Sequence, residues 1–258
     1  MKFRRLALLS AFGIVSLYGL LVLSLLGFVG GADFWGTLWS SDTLSAVRLS
    51  LLAATASAIL AMLVALPAAW ALSRFRFPGS SWVDMFLEFP MIVSPAALGA
   101  MILMFFRTTP GEWVQGLGVD VVFAFSGIVL AQFLTTVGIA VRLIKAVLDE
   151  IPVRYENVAR SLGASSFQSF RSVVLPLSAR GLLASGILVW AKALGEFGAT
   201  ITVAGSLPGK TETLPIAIFL ELGKANLEGA SVLILILLFF GVSVLALTRL
   251  LVRRRNLA

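Results

Sequence analysis

The sequence predicts an all-α membrane protein of six transmembrane helices joined by short loops, one of which is ordered and basic. Three observations carry this. Of 258 residues, 59% are hydrophobic and only 13% charged, with a mean hydropathy of +1.00, whereas an average soluble domain is about 25% charged. The apolar residues gather into six runs of membrane length, crossing a bilayer taking about 20 residues. The basic residues, which give a formal charge of +7, lie in the loops flanking those runs. Lipid orientation explains such a distribution, so no nucleic-acid partner is expected. The absence of cysteine and histidine excludes disulfides, thiol chemistry, haem and the usual zinc sites.

The elements follow in order. Residues 1–5 are basic and 6–29 apolar. That run exceeds the core of a signal peptide, about 7–15 residues, so it is expected to remain as the first span. With the polar stretch 30–43, whose Trp35 and Trp39 suit the membrane interface, it forms a first unit, 1–43. The main transmembrane unit is 44–248. Its first span, 44–72, contains Pro67 and meets a basic loop, 73–81, with Arg74 and Arg76. The next, 83–106, contains Pro90 and Pro95. Each proline removes a backbone hydrogen bond and bends or breaks the helix, and broken membrane helices need protein or a water-filled cavity beside them. Pro90 and Pro95 are therefore candidates for lining a translocation path, with a plain packing kink as the equal alternative. Asp84 and Glu88, near the start of this helix, suit its positive dipole end.

A glycine-containing loop, 107–122, leads to the fourth span, 123–147. The fifth is 177–204. Residues 206–228 are polar except for 214–222, an apolar stretch too short to cross, read as a surface or re-entrant helix. The last span is 229–251, and a basic tail, 249–258, closes the chain. Even-numbered spans put both termini on one side. Lys2, Arg4, Arg5, Arg74, Arg76, Arg142, Lys145, Arg154, Arg160, Arg171, Arg180, Arg249 and the arginines at 253–255 share that side, against Arg48, Arg107, Lys210 and Lys224. Both termini of this multi-pass protein are thus expected in the cytoplasm.

The longest polar interruption is 149–176, DEIPVRYENVARSLGASSFQSFRSVVLP. It reads as two short helices with a hinge. Pro152 suits a first helical position, Gly163 the residue just past a helix end, and Ser165 with Gln168 a capping box. Phe167, Phe170, Val173 and Val174 give the second helix an apolar stripe, and Pro176 is expected to end it. Something should dock on such a unit; a hairpin lying on the membrane surface is the alternative.

Other constellations are weaker. Gly205, Gly209, Lys210 and Thr211 resemble a phosphate-binding loop, but the motif needs four residues between its glycines and this chain has three. No strand precedes it. The chain should bind no nucleotide, and ATP-driven work requires another subunit. Lys192 and Glu196 lie four apart in the fifth span, on one helical face. Intramembrane charges cost about 2.5–3.5 kcal/mol each and pair or face a cavity. They are read as a packing salt bridge, or else as a gate or a positive charge on an anion route. Gly181, Gly186, Gly195 and Gly198 in the same span allow close helix approach. No catalytic couple and no metal cluster stands out.

The central unit resembles the cytoplasmic loop of permease subunits of type I ABC importers. The family pattern is Glu-Ala-Ala, three residues, Gly, nine residues, Ile-x-Leu-Pro. Here Asn157, Val158 and Ala159 precede Gly163, and Val173, Val174, Leu175 and Pro176 close the pattern at the same spacing. Asn157 and Val158 depart from it, and Glu156 stands one residue early. The stretch 192–218, KALGEFGATITVAGSLPGKTETLPIAI, looks like molybdate permeases and, less closely, sulfate and thiosulfate permeases.

The resemblance implies the type I importer permease fold, with 149–176 as a coupling loop in which Glu156, Asn157, Val158, Ala159, Arg160, Ser161, Leu162, Gly163 and Ala164 meet an ATPase. It implies a homodimer of this chain, two ABC ATPase subunits that carry ATP and Mg, an extracytoplasmic oxyanion-binding protein, and no cofactor on the chain itself. The expected cargo is molybdate or tungstate, with sulfate or thiosulfate as the alternative. From other classes, an ion-gradient transporter would carry mid-span acids, for which only Glu196 qualifies, and a membrane enzyme would need convergent catalytic groups.

Overall fold

The computed structural model describes residues 2–29, 33–118 and 120–254. Every regular element among them is helical. Five helices are long and apolar enough to span: α1 (Lys2–Val29), α3 (Ser41–Arg74), α7 (Phe125–Asp149), the helix ending in α10 (Ser166–Leu194) and α13 (Leu227–Arg254). A further apolar pair, α4 (Ser80–Ile92) and α5 (Pro95–Phe105), is bent by 109° at its break, the form of a broken span or a re-entrant loop. Residues 255–258 of the expected basic tail lie outside the described residues. Short helices fill loops expected to be irregular: α2 (Phe34–Leu38), and α6 (Thr109–Gly116), which has Pro110 in its first turn.

The spine is α3 against α7. The buried face of α3 is Ala46, Ser50, Ala53, Ala54, Ser57, Ala58, Ala61, Ala65 and Ala69, all small. Small side chains let membrane helices approach closely, which is where their association energy arises. A polar tie crosses the seam: the Ser57 hydroxyl donates to the Val129 carbonyl at 3.0 Å and sits 3.1 Å from the buried Gln132 amide. Helix α10 (Leu175–Leu194) packs on both α3 and α7. Gly181 permits this, since a Cβ there would meet Val147 Cγ1 at 2.4 Å. Gly186 has only ordinary contact with Met62, and Gly195 faces its own helix, so the close approach expected of four glycines is made by Gly181 and Gly198. The short apolar helix α12 (Leu214–Gly223) does not cross; it packs on α13 and α3 with Leu214 and Ile216 fully buried. Helix α1 packs beside α13 and otherwise exposes its apolar surface.

The fifth span is broken as well. Helix α10 stops at Leu194, and a separate short helix, α11 (Gly198–Ala204), follows. The expectation of one helix over 177–204 is thus corrected. The expectation that Pro176 ends its helix is also corrected. From α9 (Ser166–Ser169) the chain runs through a π-turn at Phe170–Val174 directly into α10, with Pro176 in the first turn of α10. The wider turn re-registers the hydrogen bonds just where proline has no N–H to give.

Candidate functional site

The predicted site residues fall in two places. The first is the loop after α7. Helix α8 (Arg154–Ser161) begins two residues later than Pro152 suggested; the Pro152 carbonyl instead accepts the Tyr155 N–H at 3.2 Å. Gly163 closes α8 with φ +94°, and the N–H groups of Gly163 and Ala164 bond back to the Arg160 and Ala159 carbonyls. A left-handed residue at this position is what a Schellman-type end requires. The Ser165–Gln168 capping box is present in both directions. The apolar stripe of the second helix divides: Phe170 and Val174 turn into the core, where Phe170 packs on Trp70, while Phe167 faces outward.

On α8, Glu156 is the one buried residue. Asn157, Val158, Arg160 and Ser161 are exposed, Ala159 and Ala164 partly so, and Leu162 keeps 85% of its surface open. The Ser161 hydroxyl donates to the Asn157 carbonyl at 3.0 Å. Glu156 pairs with Arg74, whose Nε lies 2.6 Å from Oε1; the side chains are 10% and 7% exposed. Arg74 had stood out only as a loop cation. No periodicity could reveal its partner, 82 positions away in sequence.

The second place is the double break. Pro90 lies inside α4 and Pro95 opens α5, whose N-terminus is capped by the Ser94 hydroxyl. The break is exposed at Met91, Ile92 and 94–97. It faces the break in the fifth span: a Cβ on Gly198 would stand 3.0 Å from the Ala96 nitrogen, and one on Gly99 2.9 Å from the Ala199 carbonyl. Lys192 and Glu196 do pair, Nζ to Oε2 at 2.9 Å, but not along one continuous helix. Glu196 lies past the end of α10, and its Oε1 accepts the Ala199 N–H at 3.2 Å, so it caps α11. Glu196 is 2% exposed and Lys192 45%. Asp84 and Glu88 are not first-turn acids of α4; Glu88 pairs across to Arg142 on α7, a contact its position in sequence did not suggest.

The Gly205–Thr211 loop satisfies several of its N–H groups within itself. The N–H groups of Lys210, Thr211 and Glu212 all bond the Leu207 carbonyl, and the Leu207 N–H bonds Thr211 Oγ1. These donors are turned inward and cannot cradle a phosphate.

A solved chain of a bacterial ABC transporter involved in the import of the acidic polysaccharide alginate superposes with a TM-score of 0.75, covering 98% of this chain and 97% of that one at 15% identity. The chain belongs to the family of binding-protein-dependent transport system inner membrane components, whose family model matches residues 61–257. The sulfate transport system permease protein CysT of Escherichia coli K12 is 32% identical over 209 residues, 80% of this chain and 76% of that protein. The molybdenum transport system permease protein ModB of Haemophilus influenzae is 34% identical over 179 residues, 68% of this chain and 78% of that protein. The chain is therefore a multi-pass ABC importer permease, a transport subunit and not an enzyme.

Proposed function

We propose that this permease moves a tetrahedral oxyanion, molybdate or tungstate first, into the cytoplasm by alternating access. The supporting observation is that permeases named for molybdenum and for sulfate resemble this chain to the same degree, 34% and 32%. Molybdate and sulfate share one shape and charge, a tetrahedral dianion, so sulfate or thiosulfate is the second reading.

The loop 149–176 is the coupling element, within a transmembrane unit 44–248 that follows the first span and outer loop, 1–43, and precedes a basic tail at 249–258. Val153, Tyr155, Val158, Leu162 and Phe167 form an exposed apolar surface on it, flanked by Arg154 and Arg160. That combination suits the groove of an ATPase subunit. Two ATPase subunits hold ATP and Mg; this chain holds neither. Nucleotide binding draws them together, and α8 carries the movement into the spans.

Two copies of this chain enclose the path. The break at Pro95 lies exposed on a single chain, and a helix break at membrane depth requires protein or enclosed water beside it. A second copy supplies that cover. Lys192, beside the break and nearly half open, offers positive charge to the dianion. The cation-rich loops face the cytoplasm, as do both termini, and an extracytoplasmic binding protein delivers the anion to the other side. The test is uptake by the assembly reconstituted in liposomes. Excess molybdate and tungstate should compete with labelled molybdate, and sulfate more weakly. Uptake indifferent to all three, or independent of ATP, overturns the proposal.

A further inference from the structure

The coupling reading leaves one buried group unexplained. Helix α8 buries a single residue, and it is charged. An apolar anchor would let so short a helix roll or slide, because the hydrophobic effect is not directional. Arg74 supplies direction. It is the last residue of α3, and its guanidinium joins three elements. Nε reaches Glu156 Oε1 of α8 at 2.6 Å, Nη2 reaches the Leu148 and Ile151 carbonyls at the end of α7 at 3.0 Å each, and Nη1 reaches Ser73 Oγ at 2.9 Å. A planar fork with fixed donors holds its acceptors in fixed relative orientation. The ties extend outward. Ser73 donates to Asp149, which also takes Lys145 Nζ at 2.9 Å, and the buried Ser169 hydroxyl donates to the Glu156 carbonyl at 3.3 Å.

The geometry points to Arg74 and Glu156 as a positioning pair, the joint that makes α8 move as one body with the ends of α3 and α7. This rests on the reading that α8 meets the ATPase. The family's acid would stand at 157; here Asn157 is exposed, while the acid one position earlier faces inward on Arg74. Docking and transmission are thereby divided between neighbouring residues: the exposed ones grip the motor, and Glu156 passes its displacement on.

The experiment uses the complete assembly in liposomes, with labelled molybdate and sulfate as probes. Glu156→Ala should still copurify with the ATPase subunits and hydrolyse ATP. Uptake per ATP should fall by about tenfold, within the range by which residues between coupled sites change coupling, and hydrolysis should stop responding to the loaded binding protein. Glu156→Gln keeps an acceptor for Arg74 Nε and should stay within about threefold of the unaltered protein. Amide hydrogen exchange over residues 154–161 of α8 should speed up with Glu156→Ala and not with Glu156→Gln. Unchanged uptake per ATP in Glu156→Ala overturns the inference. So does loss of the ATPase subunits, which would make Glu156 part of the docking surface. Leu162→Asp tests the underlying reading separately: it should release the ATPase subunits, and if they stay bound and active, α8 is not where they dock.

Discussion

Two glutamates are buried beside a cation, at opposite kinds of site. Glu156 and Arg74 are both enclosed, 10% and 7% exposed, and Arg74 spends its remaining donors on carbonyls and a hydroxyl. Glu196 is enclosed at 2%, but Lys192 beside it is 45% open. The first pair has every charge answered inside the fold, which is the signature of a rivet. The second answers the carboxylate twice, through Lys192 and the Ala199 N–H, and leaves the ammonium with donors to offer elsewhere. In the first pair both partners are enclosed; in the second only the carboxylate is.

The largest effect should come from Arg74→Met. It strands Glu156 without its cation, and breaking a buried pair from one side costs about 3–5 kcal/mol. Amide hydrogen exchange across 148–169 should accelerate strongly while that of the α3–α7 seam stays slow; unchanged protection would mean the rivet is decorative. Next is Gly163→Val. No atom lies within 4 Å of the added Cβ, so the penalty is purely the left-handed backbone at φ +94°, about 1–2 kcal/mol. Uptake should drop with assembly weakened, and Gly163→Asn, which tolerates that conformation better, should recover most of it. If valine and asparagine behave alike, the turn is not the cause.

A smaller change in stability separates the second pair. Lys192→Gln keeps a hydrogen-bond donor beside Glu196, whose Oε1 also takes the Ala199 N–H, so thermal stability should fall less than in Arg74→Met, yet the half-saturating concentration for transport in the assembly should rise. A stability loss as large as that of Arg74→Met, with transport affinity unaltered, would make Lys192 a second rivet. The smallest effect belongs to Gly186→Ala, where the nearest atom to the new Cβ is Met62 Cε at 3.6 Å. Thermal stability should move by under about 0.5 kcal/mol, whereas Gly181→Ala, facing Val147 at 2.4 Å, should cost clearly more.

The spans were legible because a bilayer demands about 20 apolar residues in a row whatever they later touch, and four of the six expected runs match long helices within a few residues. The hinge at Gly163 and the Ser165 cap were legible because caps are local chemistry. The break after Leu194 was not: Gly195 gives little warning, and the helix yields there because Glu196 does better as a cap on α11 than as a helical residue in lipid. Pro176 misled for a related reason, since a π-turn absorbed the defect that usually ends a helix.

The sequence by itself determined that this is a multi-pass helical membrane protein with an ordered loop, because hydropathy and capping act over a few residues. Which side chains meet was decided by the tertiary structure. Arg74 reaches Glu156 only because the small-residue seam of α3 and α7 brings their ends together, and Lys192 is left open only because the helix breaks beside it. Contacts between residues distant in the chain depend on packing distances, and no local pattern encodes those.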